Sequence, residues 1–413
     1  MREYKKIILN NGIPLYLNND PSCKQAIVNY VIKYGSNGDW YKFELDGKHY
    51  NVRPGVAHLL EHLLGERSKY GDIYSRITNK NSNANAYTDG SHTSFWFQGS
   101  KEIKESVKEL IECIDDPVFD EEDIRLTKKA IEREISSYTD DYRELCDHLV
   151  LRNLYGDFEL FPKSLSSIGR KIDNKNITID EVKACYDAFY TDDRKVLAIT
   201  GSFDEKELVD YLNEIYSNLK THKSRLILPE YDYSLTRKEK DYITRNIDYD
   251  LSGLGIKIKK PVDMTDKEFL YTISFITSLL FNSDSNFNEY LRSEGYVDRI
   301  KSYHFDRLKE YGNYALTCVS SKPDEYFKRI LDKINSNDMI KGEFDLIKRT
   351  LLSEEVRGYD SKYDNTKYFG YKMSYTEDYD DIKGYREFDY DRFKSNVDRL
   401  DFSTISKAKV KRK

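Results

Sequence analysis

Alternating apolar and polar residues mark out the first elements of the chain. Lys6-Ile7-Ile8-Leu9 and Ile13-Pro14-Leu15-Tyr16-Leu17 flank Asn10-Asn11-Gly12. An Asn-Gly step supplies the positive φ of a tight turn, so residues 4–18 are expected to form a β-hairpin. Ala26-Ile27-Val28-Asn29-Tyr30-Val31-Ile32 is rich in β-branched residues and reads as a strand closed by Gly35-Ser36. A polar loop runs to about Arg53, and Pro54-Gly55 opens a helix, since proline is tolerated in a first turn. Asn85 to Phe97 alternates as one strand. Ile103, Val107, Leu110 and Ile114 recur at helical spacing, and a long helix is expected over about Glu121 to Asp140.

The stretch 223–245 is polar, carries Pro229 and mixes both charges in Arg237-Lys238-Glu239-Lys240-Asp241, so it is expected to be an interdomain linker. Beyond it the pattern repeats. Leu251 to Ile258 reads as a strand, Lys267 to Phe281 as an apolar helix, Asn313 to Val319 as a strand and Tyr326 to Ile334 as a helix. Lys348-Arg349-Thr350-Leu351-Leu352-Ser353-Glu354-Glu355 resembles Lys128-Lys129-Ala130-Ile131-Glu132-Arg133-Glu134. Two related α+β halves are therefore expected, 1–222 and 246–413, the second without a histidine pair at helical spacing.

Composition narrows the function classes. The 66 basic and 72 acidic residues leave a net charge of −6, unlike the basic excess of a dedicated nucleic-acid binder. The one basic cluster, Lys407-Ala408-Lys409-Val410-Lys411-Arg412-Lys413, reads as a solvated tail. The 5 cysteines have no close pair, as in a protein with reduced thiols. No apolar run reaches the ~20 residues of a membrane span, and the first residues lack a signal-peptide core, so a cytoplasmic protein is expected.

Candidate chemistry concentrates in His58-Leu59-Leu60-Glu61-His62. Residues four apart share a helix face, so His58 and His62 can present two imidazoles to one tetrahedral zinc ion. Glu61 lies beside that face and can take a proton from a zinc-bound water. With 7 histidines in the chain, the pattern arises by chance in roughly one such chain in a hundred. Burying two histidines and a glutamate among leucines without partners is costly, which favours metal binding. A third, remote ligand is required.

Gly35-Ser36, Gly55-Val56-Ala57-His58-Leu59-Leu60-Glu61-His62, Asn85-Ala86-Tyr87-Thr88 and Thr93, in this order, resemble the N-terminal signature of the M16 zinc metallopeptidases, the family of pitrilysin, insulin-degrading enzyme and mitochondrial processing peptidase. Lys33-Tyr34-Gly35-Ser36 and the long loop before Pro54 look most like the small bacterial M16 proteins, some of which occur as catalytic and non-catalytic pairs or in bacteriocin maturation. The resemblance implies an α+β fold of two related halves, each a mostly antiparallel sheet packed with helices. It implies one zinc per chain held by His58, His62 and Glu134, which stands 72 residues beyond His62, with Glu132 as the alternative and Glu61 as general base. Many relatives carry a further glutamate two helical turns before the third ligand, where this chain has Thr127. Substrate is expected to lie extended along residues 85–97, nearest the metal at Asn85 and Ala86. Arg292 and Tyr296 resemble an Arg and a Tyr that relatives send to the substrate, although their separation here is shorter. The implied activity is zinc-dependent endoproteolysis of unstructured peptides, such as a precursor or bacteriocin-type peptide. One chain of this length is half of the family's four-domain chamber, so a homodimer or a heterodimer with an M16-like partner is implied. A non-catalytic peptide-binding or assembly subunit is the alternative.

Overall fold

The computed structural model describes residues 4–80, 83–138, 142–155, 168–231, 233, 240–282, 285–308, 310–360 and 381–413. Among these, residues within 1–137, 166–230 and 358–379 form one compact unit, and those within 138–165, 231–357 and 380–413 form a second.

The first unit contains the expected hairpin: Lys5–Ile8 pairs antiparallel with Pro14–Asn19, and Gly12 turns at a φ of 94°. The sheet continues through Lys195–Gly201, Ala26–Ile32 and Thr93–Gly99 to Asn83–Thr88 at its edge. Pro14–Asn19 runs parallel to Lys195–Gly201, and the remaining neighbours are antiparallel. Every residue of Ala26–Ile32 and Lys195–Gly201 is buried, which is why both read as continuous apolar runs without alternation. Residues 85–97, read from the sequence as one strand, are instead parts of two strands, Asn83–Thr88 and Thr93–Gly99, joined by a turn. Asp89 Oδ1 makes that turn by accepting from the backbone N–H groups of Ser91 at 2.7 Å and His92 at 2.9 Å. An Asp-Gly step inside an alternating run is the hairpin signal that a single-strand reading passes over.

The second unit has the sheet order Lys240–Arg245, Thr404–Arg412, Leu251–Lys259, Tyr311–Val319, Arg299–Leu308. Its first pair is parallel and the others antiparallel. The order and strand directions match those from Pro14–Asn19 to Asn83–Thr88 in the first unit, so the two sheets share one topology. Two expectations are corrected here. The basic end is no solvated tail: Ser406, Ala408 and Val410 alternate into the sheet and are buried while the lysines between them point away. Lys240–Arg245, read as linker, is a strand beside it.

Helix Tyr142–Tyr155 belongs with this second sheet although it precedes the linker in sequence. Leu145, Cys146, Leu149 and Val150 pack on Leu251, Ala315, Ala408 and Val410. Gly253 and Gly255 let the helix approach closely, since an added Cβ at Gly253 would stand 2.9 Å from both Cys146 Sγ and Val150 Cγ1. Ser406 Oγ donates to the Val150 carbonyl at 2.7 Å, a buried stitch between helix and strand.

In the first unit, helix Val56–Glu66 packs on helix Ile179–Phe189 and on the edge strand Asn83–Thr88. Its leucines Leu59, Leu60, Leu63 and Leu64 are fully enclosed. Gly55 starts it at a φ of 93°, and a Cβ there would meet the Ile168 carbonyl oxygen at 2.6 Å, so only glycine fits.

Candidate metal centre

One helix turn separates His58 from His62, and their Nε2 atoms face each other at 3.3 Å. Helix Glu121–Tyr138 brings Glu134 to them: its Oε2 lies 3.5 Å from His58 Nε2 and its Oε1 lies 3.5 Å from His62 Nε2. Nitrogen and oxygen ligands about 2.1 Å from a tetrahedral zinc stand about 3.4 Å from one another. All three separations are close to that spacing, with Glu134 reaching each imidazole through a different oxygen. This is the fit expected of a zinc site, with donors of the type that zinc takes. Donor atoms of His58, Glu61 and His62 also lie within 4.8 Å of one another, so two carboxylates compete for the third position.

Their surroundings tell the two apart. Glu61 is 7% exposed, and Thr88 Oγ1 on the edge strand donates to its Oε2 at 2.7 Å. Burial pushes the Glu61 carboxyl up to about 7, against the opposing pull of the Thr88 hydrogen bond and of His62. Glu134 is half-buried and is held below the ordinary carboxylate range, chiefly by His62. Burial, then the neighbouring His62, lowers His58 to about 4. Burial also opposes charge on His62, but the carboxylates of Glu134 and Glu66 outweigh it and raise His62 to about 10. The two carboxyls are thus pushed in opposite directions, Glu61 up by burial and Glu134 down by His62.

Glu132 precedes Glu134 by two residues, which is about 200° around a helix, so it faces away from the imidazole pair. Asn85 and Ala86 sit on the edge strand that carries Thr88, with Asn85 exposed and Ala86 half-buried against the core of the unit. Arg292 and Tyr296 lie in the second unit. Arg292 is exposed, and Tyr296 is engaged by Arg329, whose Nη2 donates to the tyrosine hydroxyl at 2.8 Å. Two contacts were not assigned from the sequence. Thr88 as the partner of Glu61 depends on strand-to-helix packing and has no local signature. Glu66, whose Oε1 accepts from His62 Nδ1 at 2.9 Å, is four residues on from His62 and was legible from spacing.

A largely enclosed imidazole pair with a remote carboxylate, on a helix packed against a sheet edge, is a donor set able to hold a divalent metal. Comparison with known proteins agrees. Residues 17–165 match the sequence model of the insulinase family, peptidase family M16, and residues 176–351 match that of the peptidase M16 inactive domain. The chain belongs to peptidase family M16. It is 26% identical over 327 residues to the uncharacterized zinc protease YmfH of Bacillus subtilis, covering 77% of this chain and 74% of that protein. In fold it is similar to an M16-like peptidase from Alicyclobacillus acidocaldarius, with a TM-score of 0.88, 20% identity and coverage of 100% of this chain and 99% of the other. It also resembles pitrilysin, with a TM-score of 0.75 and 16% identity, covering 99% of this chain but 45% of pitrilysin. Among the described residues, no helix is long and apolar enough to cross a membrane.

Proposed function

We propose that this chain is a zinc-dependent endopeptidase that cleaves unstructured peptides, with one zinc held by His58, His62 and Glu134. The observation that carries the reading is geometric: Glu134 from a remote helix lies 3.5 Å from each Nε2 of the His58–His62 pair, and Glu61 stands beside them held by Thr88 at 2.7 Å. When bound, the ion supplies Lewis-acid polarisation of a peptide carbonyl and acidifies a water. Glu61 accepts the proton of that water, and a carboxyl near neutrality is well matched to taking a proton and returning it to the leaving amine. Thr88 holds Glu61 by its Oε2, leaving Oε1 for the proton. Among the described residues, Asn83–Thr88 pairs on one side only. An extended peptide that adds there, alongside Asn85 and Ala86, gains main-chain hydrogen bonds that a folded protein cannot offer.

Division into a catalytic and a non-catalytic part belongs to this proposal, with strand Lys240–Arg245 and helix Tyr142–Tyr155 on the non-catalytic side. So do substrate contacts from Arg292 and Tyr296, a cytoplasmic site of action, and pairing as a homodimer or with an M16-like partner. A precursor or bacteriocin-type peptide fits the substrate class. The inactive-domain match over 176–351 supports an enclosing, non-catalytic role for the later part of the chain.

The test is to incubate the purified zinc-loaded chain with disordered peptides on the order of 10–70 residues long, chosen because strand addition needs a free backbone, beside a stably folded control. Products are mapped by mass spectrometry. Cleavage of the peptides and sparing of the control is expected. Fast digestion of the control, or intact peptides even with a candidate partner subunit present, overturns the reading.

A further inference from the structure

The two imidazoles are not held alike. His62 Nδ1 lies 2.9 Å from Glu66 Oε1, while its Nε2 faces His58 Nε2 at 3.3 Å and Glu134 Oε1 at 3.5 Å. His58 Nδ1, by contrast, is buried with no hydrogen-bond partner. Thr127, two turns before Glu134 on its helix, is likewise buried with its Oγ1 unpartnered, so it orients no ring. Among the described residues, Glu66 is therefore the carboxylate that meets the outer nitrogen of either imidazole.

We propose that Glu66 is a positioning residue for the metal centre, fixing the tautomer and ring orientation of His62. The inference rests on the zinc reading above. A neutral imidazole carries one proton. By accepting Nδ1–H, the Glu66 carboxylate leaves Nε2 with its lone pair directed at the face shared with His58 and Glu134. It also makes that nitrogen a stronger donor, because negative charge on the far side of the ring pushes electron density toward it. Glu66 is not itself a ligand, since it occupies the side of the ring opposite Nε2. Its position follows from helix geometry: it is one turn beyond His62 on the same face and closes helix Val56–Glu66. Its side chain is 38% exposed, so it contributes little to the core. A purely structural i,i+4 pair on a helix would add little to the fold. His58 lacks such a partner, so the site depends more strongly on this single outer contact.

The experiment measures zinc affinity by competition with a chromophoric chelator for the wild type, Glu66→Ala and Glu66→Gln, and the melting temperature of each with zinc and after metal removal. Glu66→Ala should bind zinc about 10- to 100-fold more weakly. Glu66→Gln should fall between, because its amide oxygen still accepts from Nδ1–H but carries no charge. The metal-free melting temperature of Glu66→Ala should fall slightly, because Glu66 also favours protonated His62 when no ion is bound, and the zinc-loaded melting temperature should fall further. An affinity of Glu66→Ala within twofold of wild type, or a melting temperature lowered equally with and without zinc, overturns the positioning role. A wild type that binds no zinc overturns the zinc reading itself, which separates the two failures.

Discussion

Replacing Glu61 by Gln should remove activity and, unusually for a buried site, strengthen the fold. Gln has the same shape, and its amide oxygen can still accept from Thr88 Oγ1, which sits 2.7 Å from Glu61 Oε2. What is lost is the ability to take a proton, a contribution of about 10²- to 10⁴-fold in rate. Burial raises the Glu61 carboxyl from its ordinary 4.5 to about 7. An acid raised by folding binds its proton more tightly in the native state, so its ionisation opposes folding. Below pH 4.5 both states are protonated and the carboxyl has no effect. Between pH 4.5 and about 7 the unfolded chain ionises first, and stability falls. Above 7 the loss is complete. One pH unit is worth about 1.4 kcal/mol, which makes the full cost about 3 kcal/mol. Gln cannot ionise and keeps that stability. Urea unfolding of the metal-free proteins between pH 4 and 8 should therefore give coincident curves at the acid end, with Glu61→Gln more stable by up to about 3 kcal/mol at pH 8. A difference that is absent at pH 8, or equally large at pH 4, refutes the argument that burial perturbs this carboxyl. Peptide hydrolysis surviving in Glu61→Gln refutes its role as base.

Other outcomes follow from the same geometry. His58→Ala, His62→Ala and Glu134→Ala should each lose zinc by elemental analysis, because two protein ligands hold the ion far more weakly than three, whereas Glu132→Ala should keep it. Thr88→Val should keep zinc but lower kcat about 10- to 100-fold, since a hydrogen bond to a charged group is worth about 1.5–3 kcal/mol. Because that bond pulls the Glu61 carboxyl down, the acid limb of the pH–rate profile should move to higher pH in the same variant. Gly253→Ala should cost about 1–3 kcal/mol in urea unfolding by forcing Cys146 and Val150 off the second sheet, with zinc content unchanged. A chain ending at Arg245 should aggregate, because helix Tyr142–Tyr155 would lose the sheet that covers Leu145, Cys146, Leu149 and Val150; a soluble, monomeric, zinc-binding fragment would disprove this.

The chain's own pattern determined what depends on near neighbours. A His pair at i and i+4 among leucines is enough to place two imidazoles on one helix face, and the first hairpin follows from Asn11-Gly12 between apolar runs. The choice of Glu134 over Glu132 came from family resemblance. Its physical reason is rotation about the helix, which only becomes decisive once the helix is placed against the imidazoles. The tertiary structure alone decided whatever joins distant segments. The basic C-terminal run looks solvated by composition, yet Ser406, Ala408 and Val410 are buried because Lys240–Arg245 and Leu251–Lys259 flank the strand on both sides. Helix Tyr142–Tyr155 follows the helix of Glu134 in sequence but covers the second sheet, where Gly253 and Gly255 admit it. Glu61 was legible as a glutamate beside two histidines. Its poise near neutrality was not, because that comes from enclosure by the packed unit and from Thr88 on a strand 27 residues away. Periodicity encodes which face of an element is apolar; desolvation and hydrogen-bond partners depend on which elements meet, and that is a property of the folded chain.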